Sequence, residues 1–396
     1  MKKRFNKKII LFLLSQNISL FGSSVVGFTI IWYITLTTSS GLWLMLATIS
    51  SMLPQVIISF FSGVWADRYN RKYLIMLADG FIAIATLLLA ISFLIGFRNL
   101  KMLLAVAVIR SIGAGIQTPA VNAIYPDLVS KDKLVKVQGL NQTLASILLL
   151  LAPAVGGLLL GPIKIIWAFM LDVITALIAI TLLGCLKIKK QDFNNQTSFF
   201  RELKRGLKYT FQTSSLRLIV LCYMGIIFLI TPITILSPLL IERTFGSDIW
   251  RLTISEVIFT LGSLIGGLYV SLSGDFKNKT KVIWACFLAF GITFGLLGMV
   301  SNFTVYVLFM GVTGIFMPIV TTLLTVFIQN IASQTMLGRV FSIIQIVTTS
   351  TVPLALLIFG PLADLISINY IFIFLGFLAI LASIKYKYDS NRLLNN

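Results

Sequence analysis

Gly63-Val-Trp-Ala-Asp67-Arg68-Tyr-Asn70-Arg71-Lys72 places four charged residues and two turn-prone ones between two long apolar runs. A charged knot of this kind must face water. In a chain whose flanking runs are long enough to be helices, it marks where one membrane span hands over to the next. Its cations put it on the side of the bilayer that collects positive charge.

The rest of the chain has the composition this reading requires. Of 396 residues, 58% are hydrophobic and only 11% charged, whereas a soluble chain carries about a quarter charged residues. Apolar stretches near the roughly 20 residues needed to cross a hydrocarbon core of about 30 Å recur along the whole length. Twelve are expected, at 9–36, 41–65, 73–96, 101–124, 139–161, 165–186, 216–241, 252–273, 281–300, 303–328, 340–362 and 369–386. Segments of this length read as helices, because a backbone exposed to lipid must satisfy its own hydrogen bonds. The first follows Lys2, Lys3, Arg4, Lys7 and Lys8. It is too long for the apolar core of a signal peptide and lacks a small-residue cleavage site, so it is kept as the first span.

A net charge of +19 suggests nucleic acid until the charges are sorted by loop. With the N-terminus in the cytoplasm, 26 Lys and Arg fall inside, five fall outside (Arg98, Lys101, Lys164, Arg243, Arg251), and Arg110 lies within a span. That asymmetry predicts a multi-pass protein of the cell membrane with both termini cytoplasmic. The cations then face anionic lipid headgroups, and no nucleic-acid partner is expected. Cys185, Cys222 and Cys286 are odd in number and lie within spans, so no disulfide framework is implied. Histidine is absent, which removes Ser-His-Asp triads, imidazole metal ligands and imidazole proton relays; any proton coupling must use carboxylates. No Gly-x-x-x-x-Gly-Lys-Ser/Thr stretch is present, so ATP hydrolysis is not expected. The chain is expected to be no enzyme, to hold no metal and no cofactor, and to draw its energy from an ion gradient or a partner.

The polar stretch at 187–215 divides the chain into an N-terminal six-span half, 1–186, and a C-terminal one, 216–396. Within it, Phe199 to Phe211 alternates Phe and Leu with cations at helical spacing, predicting a short amphipathic helix at the cytoplasmic surface; a solvated linker is the alternative. The halves echo each other. Asp67 and Asp275, like Pro153 and Pro361, are 208 residues apart, while Gly115-Ile-Gln-Thr-Pro119 returns as Gly314-Ile-Phe-Met-Pro318 at an offset of 199. Together these matches favour a tandem duplication, the arrangement of transporters whose substrate sits at the membrane midplane.

The opening stretch resembles the loop signature of the major facilitator superfamily, Gly-x-x-x-Asp-Arg-x-x-Arg-Lys, with its spacing intact. The resemblance implies that Gly63 lets the second span approach a neighbour, and that Asp67 faces the positive end of the eleventh span near Arg339. It also implies that Arg68, Arg71, Lys72 and Asp127 belong to a charge cluster that latches one transport state. In the second copy, Ser271-Leu-Ser-Gly-Asp275-Phe-Lys-Asn-Lys279, the glycine and first arginine are lost, so the latch is expected to rest mainly on Asp67, Arg71 and Asp127.

Ala152-Pro153-Ala-Val-Gly156-Gly157 is similar to the Gly-Pro-x-x-Gly-Gly signature of exporting members, with alanine for the first glycine, and Gly360-Pro361-Leu362 looks like its mirror element. Pro153 removes a backbone hydrogen bond and the glycine pair permits close packing, giving a bendable helix. Arg110 lies roughly 13 Å along its span from Lys101, deep enough to need a partner or a wet cavity. Arg110-Ser-Ile-Gly113-Ala-Gly115 resembles the fourth-span signature of proton antiporters, which implies a part for the arginine in proton transfer. A carboxyl group held between burial and a neighbouring arginine can load and release protons. Three acids compete for that role, ranked Glu256, then Asp172, then Asp79, because the third and sixth spans of this fold usually sit at its periphery.

Across nearly its whole length the chain resembles the drug:proton antiporter branch that contains the macrolide efflux proteins of Gram-positive bacteria. Ile109-Arg110-Ser-Ile-Gly113, Thr118-Pro119-Ala-Val-Asn122-Ala, Ser255-Glu256 and Leu337-Gly338-Arg339-Val-Phe341-Ser342 carry that likeness. It implies an all-α membrane protein of twelve transmembrane helices in two six-helix halves, the major facilitator fold. It also implies a monomeric exporter of an antibiotic or similar amphiphile, driven by a proton gradient, its halves rocking about a central cavity. The same analogy assigns the cavity to the first, fourth, seventh and tenth spans: Gln16, Asn17, Gln117 and Asn122 from the N-terminal half, and Tyr223, Met224, Phe228, Met310, Phe316 and Met317 from the C-terminal half. A wide pocket of aromatic and thioether groups with few polar ones is expected, suited to a bulky amphiphile. The rivals are an exporter of an endogenous siderophore, peptide or signalling lipid, and a transport-inactive membrane sensor or partner of a second resistance protein.

Overall fold

The structure, a computed structural model, describes residues 7–129, 131–160, 165–186, 199–273, 276, 278–333 and 336–393. Among them it forms thirteen helices and no strand: α1 (Lys7–Thr38), α2 (Gly41–Arg68), α3 (Arg71–Leu94), α4 (Leu100–Leu128), α5 (Lys131–Leu160), α6 (Ile166–Gly184), α7 (Phe199–Gln212), α8 (Ser214–Phe245), α9 (Ile249–Ser273), α10 (Lys279–Met299), α11 (Phe303–Ile331), α12 (Leu337–Leu365) and α13 (Ile368–Leu393). Twelve are long and apolar enough to span a bilayer. The remaining one, α7, occupies the stretch where an amphipathic helix was expected. The protein is a multi-pass membrane protein.

Helix starts follow from local chemistry. Asn70, Asn99, Asn278 and Asn302 each stand at an N-cap and accept a backbone N–H of the first turn, of Lys72, Lys101, Lys281 and Thr304 respectively, satisfying donors that a helix leaves unpaired.

The faces are inverted relative to a soluble helix. On α3, Leu77, Phe81, Ile84, Leu88 and Ile91 are exposed, while Asp79, Ile82 and Thr86 are buried. Apolar side chains exposed at intervals of three and four residues form a stripe that water would not tolerate and lipid would. The polar residues have gone inward because only there do they find partners.

The chain forms two compact units: Met1–Thr37 with Leu46–Asn194, and Thr38–Met45 with Asn195–Asn396. In the first unit α3 packs on α4 and α6, around a core that includes Phe12, Ile75, Ile124, Tyr125 and Leu183. The rings of Phe12 and Tyr125 meet edge to face at 5.3 Å. Close approach of α1 to α6 requires Gly22: a Cβ there would lie 2.0 Å from Thr175 Oγ1.

In the second unit α9 packs on α11 and α10 on α13. The backbones of α9 and α11 touch through Gly262, where a Cβ would fall 2.1 Å from Gly311 O, the small-residue contact expected between membrane helices. A feature with no trace in the sequence is that Thr38–Met45, the last residue of α1, the turn after it and the first residues of α2, belongs to the second unit.

Candidate functional site

Two polar tiers run through the first unit. On α3, Asp79 and Thr86 are seven residues apart, as are Arg110 and Gln117 on α4; seven residues make two turns and about 10 Å of rise. The packed pair α3 and α4 therefore present two matched levels. On α1, Ser19 and Ser23, one turn apart, supply one hydroxyl to each level.

In one tier the Arg110 guanidinium pairs with Asp172 Oδ2 of α6 and also donates to Thr86 Oγ1. Asp172 further accepts from Thr86 Oγ1 at 3.0 Å and from Ser23 Oγ at 3.1 Å. The pair is deeply placed, with 11% of the arginine side chain and 2% of the aspartate exposed. A cation at that depth is tolerated because its partner is ionic and that partner's remaining lone pairs are filled. In the other tier Asp79 Oδ1 accepts from Ser19 Oγ and Gln117 Nε2, both at 2.8 Å. Its Oδ2 is buried with no hydrogen-bond partner among the described residues.

Beside these tiers lies a cavity of about 390 Å³ whose lining comes wholly from the first unit. Among the described residues Arg110 is its one charged lining residue, and most of the others that carry chemistry are amides and hydroxyls: Gln16, Asn17, Ser19 and Ser23 from α1, Ser51 and Gln55 from α2, Ser111, Gln117, Thr118 and Asn122 from α4, and Asn141 from α5. Asn17 Nδ2 donates to Asn141 Oδ1 at 3.0 Å, and Ser111 Oγ accepts the Gln55 backbone N–H at 2.9 Å, beside Pro54, which has no N–H of its own. Gln16, Asn17, Gln117 and Asn122 thus share the lining of one cavity.

The six residues assigned from the C-terminal half do not line this cavity. Met310 is core, Phe228 packs on Phe359 and Phe316 on Phe290, and the Tyr223 hydroxyl donates to Thr321 O at 2.8 Å. Met224 is exposed and Met317 half-buried. The wall described here is polar, whereas the aromatic and thioether groups of the expected pocket were assigned to the C-terminal half. Serines scattered along apolar spans do not stand out in composition, yet the helical period gathers them on one face. Ser19, Ser23 and Gln55 were missed for that reason; the signal available was their spacing from Gln16 and Ser51.

The other assigned residues fall elsewhere. Glu256 is half-buried on α9 and belongs to the second unit, whereas the residues of both tiers belong to the first. Arg71 donates to Ala123 O at 2.7 Å, and Lys72 Nζ donates to Gly184 O and Leu186 O at 2.6 and 2.8 Å, closing the C-terminal end of α6. The side chains of Gly63, Asp67, Arg68 and Asp127, and all of Asp275, lie outside the described residues. Pro153 sits inside α5, where Gly156 faces α1: a Cβ there would be 3.3 Å from Thr29 Oγ1. Gly157 is buried on the same helix. Pro361 lies inside α12 beside Gly360, which faces Met45 of the same unit.

A family model described as transmembrane secretion effector matches residues 5–391. The chain belongs to this family of the major facilitator superfamily. Macrolide efflux protein A of Streptococcus pyogenes is 31% identical over 93% of this chain and 92% of its own length. The Staphyloferrin A transporter of Staphylococcus aureus is 23% identical over 91% of each. Among solved structures, the nucleoside transporter NupG superposes with a TM-score of 0.75 at 14% identity, covering 97% of this chain and 99% of that one. A bacterial homologue of the iron transporter ferroportin, in an inward-facing state, gives 0.72 at 16% identity over 96% and 98%. The fold is that of a major facilitator superfamily transporter, and the two-tier site lies in the N-terminal part of such a molecule.

Proposed function

We propose that this member of the secretion effector family exports a macrolide-type antibiotic, or an amphiphile of that kind, in exchange for protons by alternating access. It does so in a cell membrane with both termini cytoplasmic. The observation that carries the reading is the 31% identity with Macrolide efflux protein A over 93% of the chain. The amides and hydroxyls of the cavity wall support it, since they can hydrogen-bond to the hydroxyls, carbonyls and amine of such a molecule. The proton-handling groups are Asp79 and the Arg110–Asp172 pair, and the latch of Asp67, Arg71 and Asp127 sets which side is open. No cofactor takes part; the gradient supplies the energy, and a monomer suffices.

A second reading has its own support. Likeness to the Staphyloferrin A transporter over 91% of the chain favours export of an endogenous siderophore. A susceptibility panel in an efflux-deficient host separates the two. Expression should raise the inhibitory concentration of macrolides several-fold and leave that of unrelated antibiotics unchanged. No change for any antibiotic, with siderophore secretion increased, would replace the first reading by the second.

A further inference from the structure

Asp79 stands behind the cavity wall rather than in it. Ser19 and Gln117 line the cavity, and both turn a donor inward to Asp79 Oδ1 at 2.8 Å. Asp79 itself is 2% exposed, and no cation among the described residues neutralises it, because Arg110 is taken up by Asp172. With both donors held by Oδ1, Ser19 offers the cavity only its lone pairs. Gln117 offers its Oε1 and its second N–H. The wall that a ligand meets is therefore acceptor-rich for as long as Asp79 is ionised.

We propose that Asp79 couples proton to ligand through Ser19 and Gln117: ionised, it makes the wall an acceptor for hydroxyl or ammonium donors of the exported amphiphile; protonated at Oδ2, it releases them. The proposal deepens the export reading and rests on it. Uptake of one proton from water turns the carboxylate into a carboxylic acid and breaks no other bond. The two charge-assisted hydrogen bonds to Oδ1 then become ordinary ones, roughly half as strong. The Ser19 hydroxyl is free to rotate outward as a donor, and the uncompensated negative charge behind the wall is gone. Donor-bearing ligand and proton therefore compete, which is the sign exchange transport needs, and the competition is reciprocal.

The charged groups facing Asp79 from the helices packed on α3 are Arg110 of α4 and Asp172 of α6, which pair with each other. On α1 the ionisable residues are Lys7, Lys8 and Tyr33. Of these Lys8, the nearest to Ser19 along the chain, is eleven residues or about 16 Å of rise away.

Equilibrium binding of a labelled macrolide to the purified full-length protein, from about pH 5.5 to about pH 8.5, tests this. The parent should lose affinity about tenfold per pH unit once Asp79 is protonated, and should release a proton on binding in weakly buffered solution. Asp79→Asn should bind weakly and lose both the acid-side slope and the proton release that Asp79 supplies, keeping only the pH dependence that the ligand's own ionisation gives to both proteins. Should Asp79→Asn not fold, Ser19→Ala/Gln117→Leu removes the relay while leaving Asp79 in place, and it should flatten the profile likewise. A full pH slope in either variant overturns the coupling while leaving export untouched. No macrolide binding by the parent at any pH overturns the coupling together with the macrolide reading.

Discussion

Arg110→Ala is expected to abolish export while leaving the protein in the membrane. The substitution strands Asp172, 2% exposed, as a buried carboxylate whose remaining donors are the hydroxyls of Ser23 and Thr86. Removing one partner of such a pair costs about 3–5 kcal/mol, enough to lower the detergent unfolding temperature by several degrees. Insertion should not suffer, since the fourth span becomes more apolar. Stability and transport can be separated by Arg110→Ala/Asp172→Asn, which removes the uncompensated charge; it should recover most of the thermal stability and none of the export. Arg110→Lys should recover little transport, because an ammonium cannot reproduce the planar fork that serves Asp172 and Thr86 together. Thermal unfolding and vesicle transport of the three variants check these outcomes. Export by the double variant would reduce the pair to a structural role.

The second large effect is expected at the turn between α1 and α2. Ser39 has φ 47°, in the left-handed region that a non-glycine residue occupies only when held there. The hold is visible: Asp364 accepts from Ser40 Oγ, Gly41 N and Leu42 N at 2.7, 2.7 and 2.9 Å, and pairs with Arg243 at 3.0 Å. Ser39 Oγ also donates to Glu242 at 2.6 Å. A carboxylate at the first turn of α2 satisfies unpaired N–H groups and meets the positive end of the helix dipole. A Cβ at Gly41 would lie 2.3 Å from Gly360 O, so the turn has no room to shift. The ion pair is about 30% exposed on both sides and adds little by itself; the backbone donors matter more. Asp364→Ala should therefore speed hydrogen exchange at Gly41 and Leu42 by about ten- to a hundredfold, the equivalent of about 1.4 to 2.7 kcal/mol of lost protection. Unchanged exchange there would mean the turn is held by packing alone.

The fold was legible because lipid imposes a coarse requirement that sequence meets openly: runs of about 20 apolar residues separated by charged knots. The stretch at 63–72 displays it in ten residues. The site was legible only in part. Arg110 stood out because a charge within a span is rare, but its partner did not. Three acids lay at comparable depth, and pairing across α4 and α6 is a tertiary fact that spacing along one helix does not carry. The general position of the third and sixth spans argued against Asp79 and Asp172, yet inverted faces turn such acids inward, where the structure joins them to Ser19, Gln117, Arg110 and Thr86. Lys72 shows the opposite limit. Its motif assigned it to a latch, and the structure adds that its ammonium donates to two carbonyls at the end of α6, a contact set by geometry that no loop signature encodes.

If a proton gradient drives export of a macrolide through this chain, transport in sealed vesicles must follow the gradient. Inside-out membrane vesicles carrying the protein, energised to be acidic within, should accumulate a labelled macrolide above control vesicles, and a protonophore should return it to the control level. Accumulation that persists after the gradient is collapsed, or none in energised vesicles shown to contain the folded protein, would rule out proton-driven export of the macrolide.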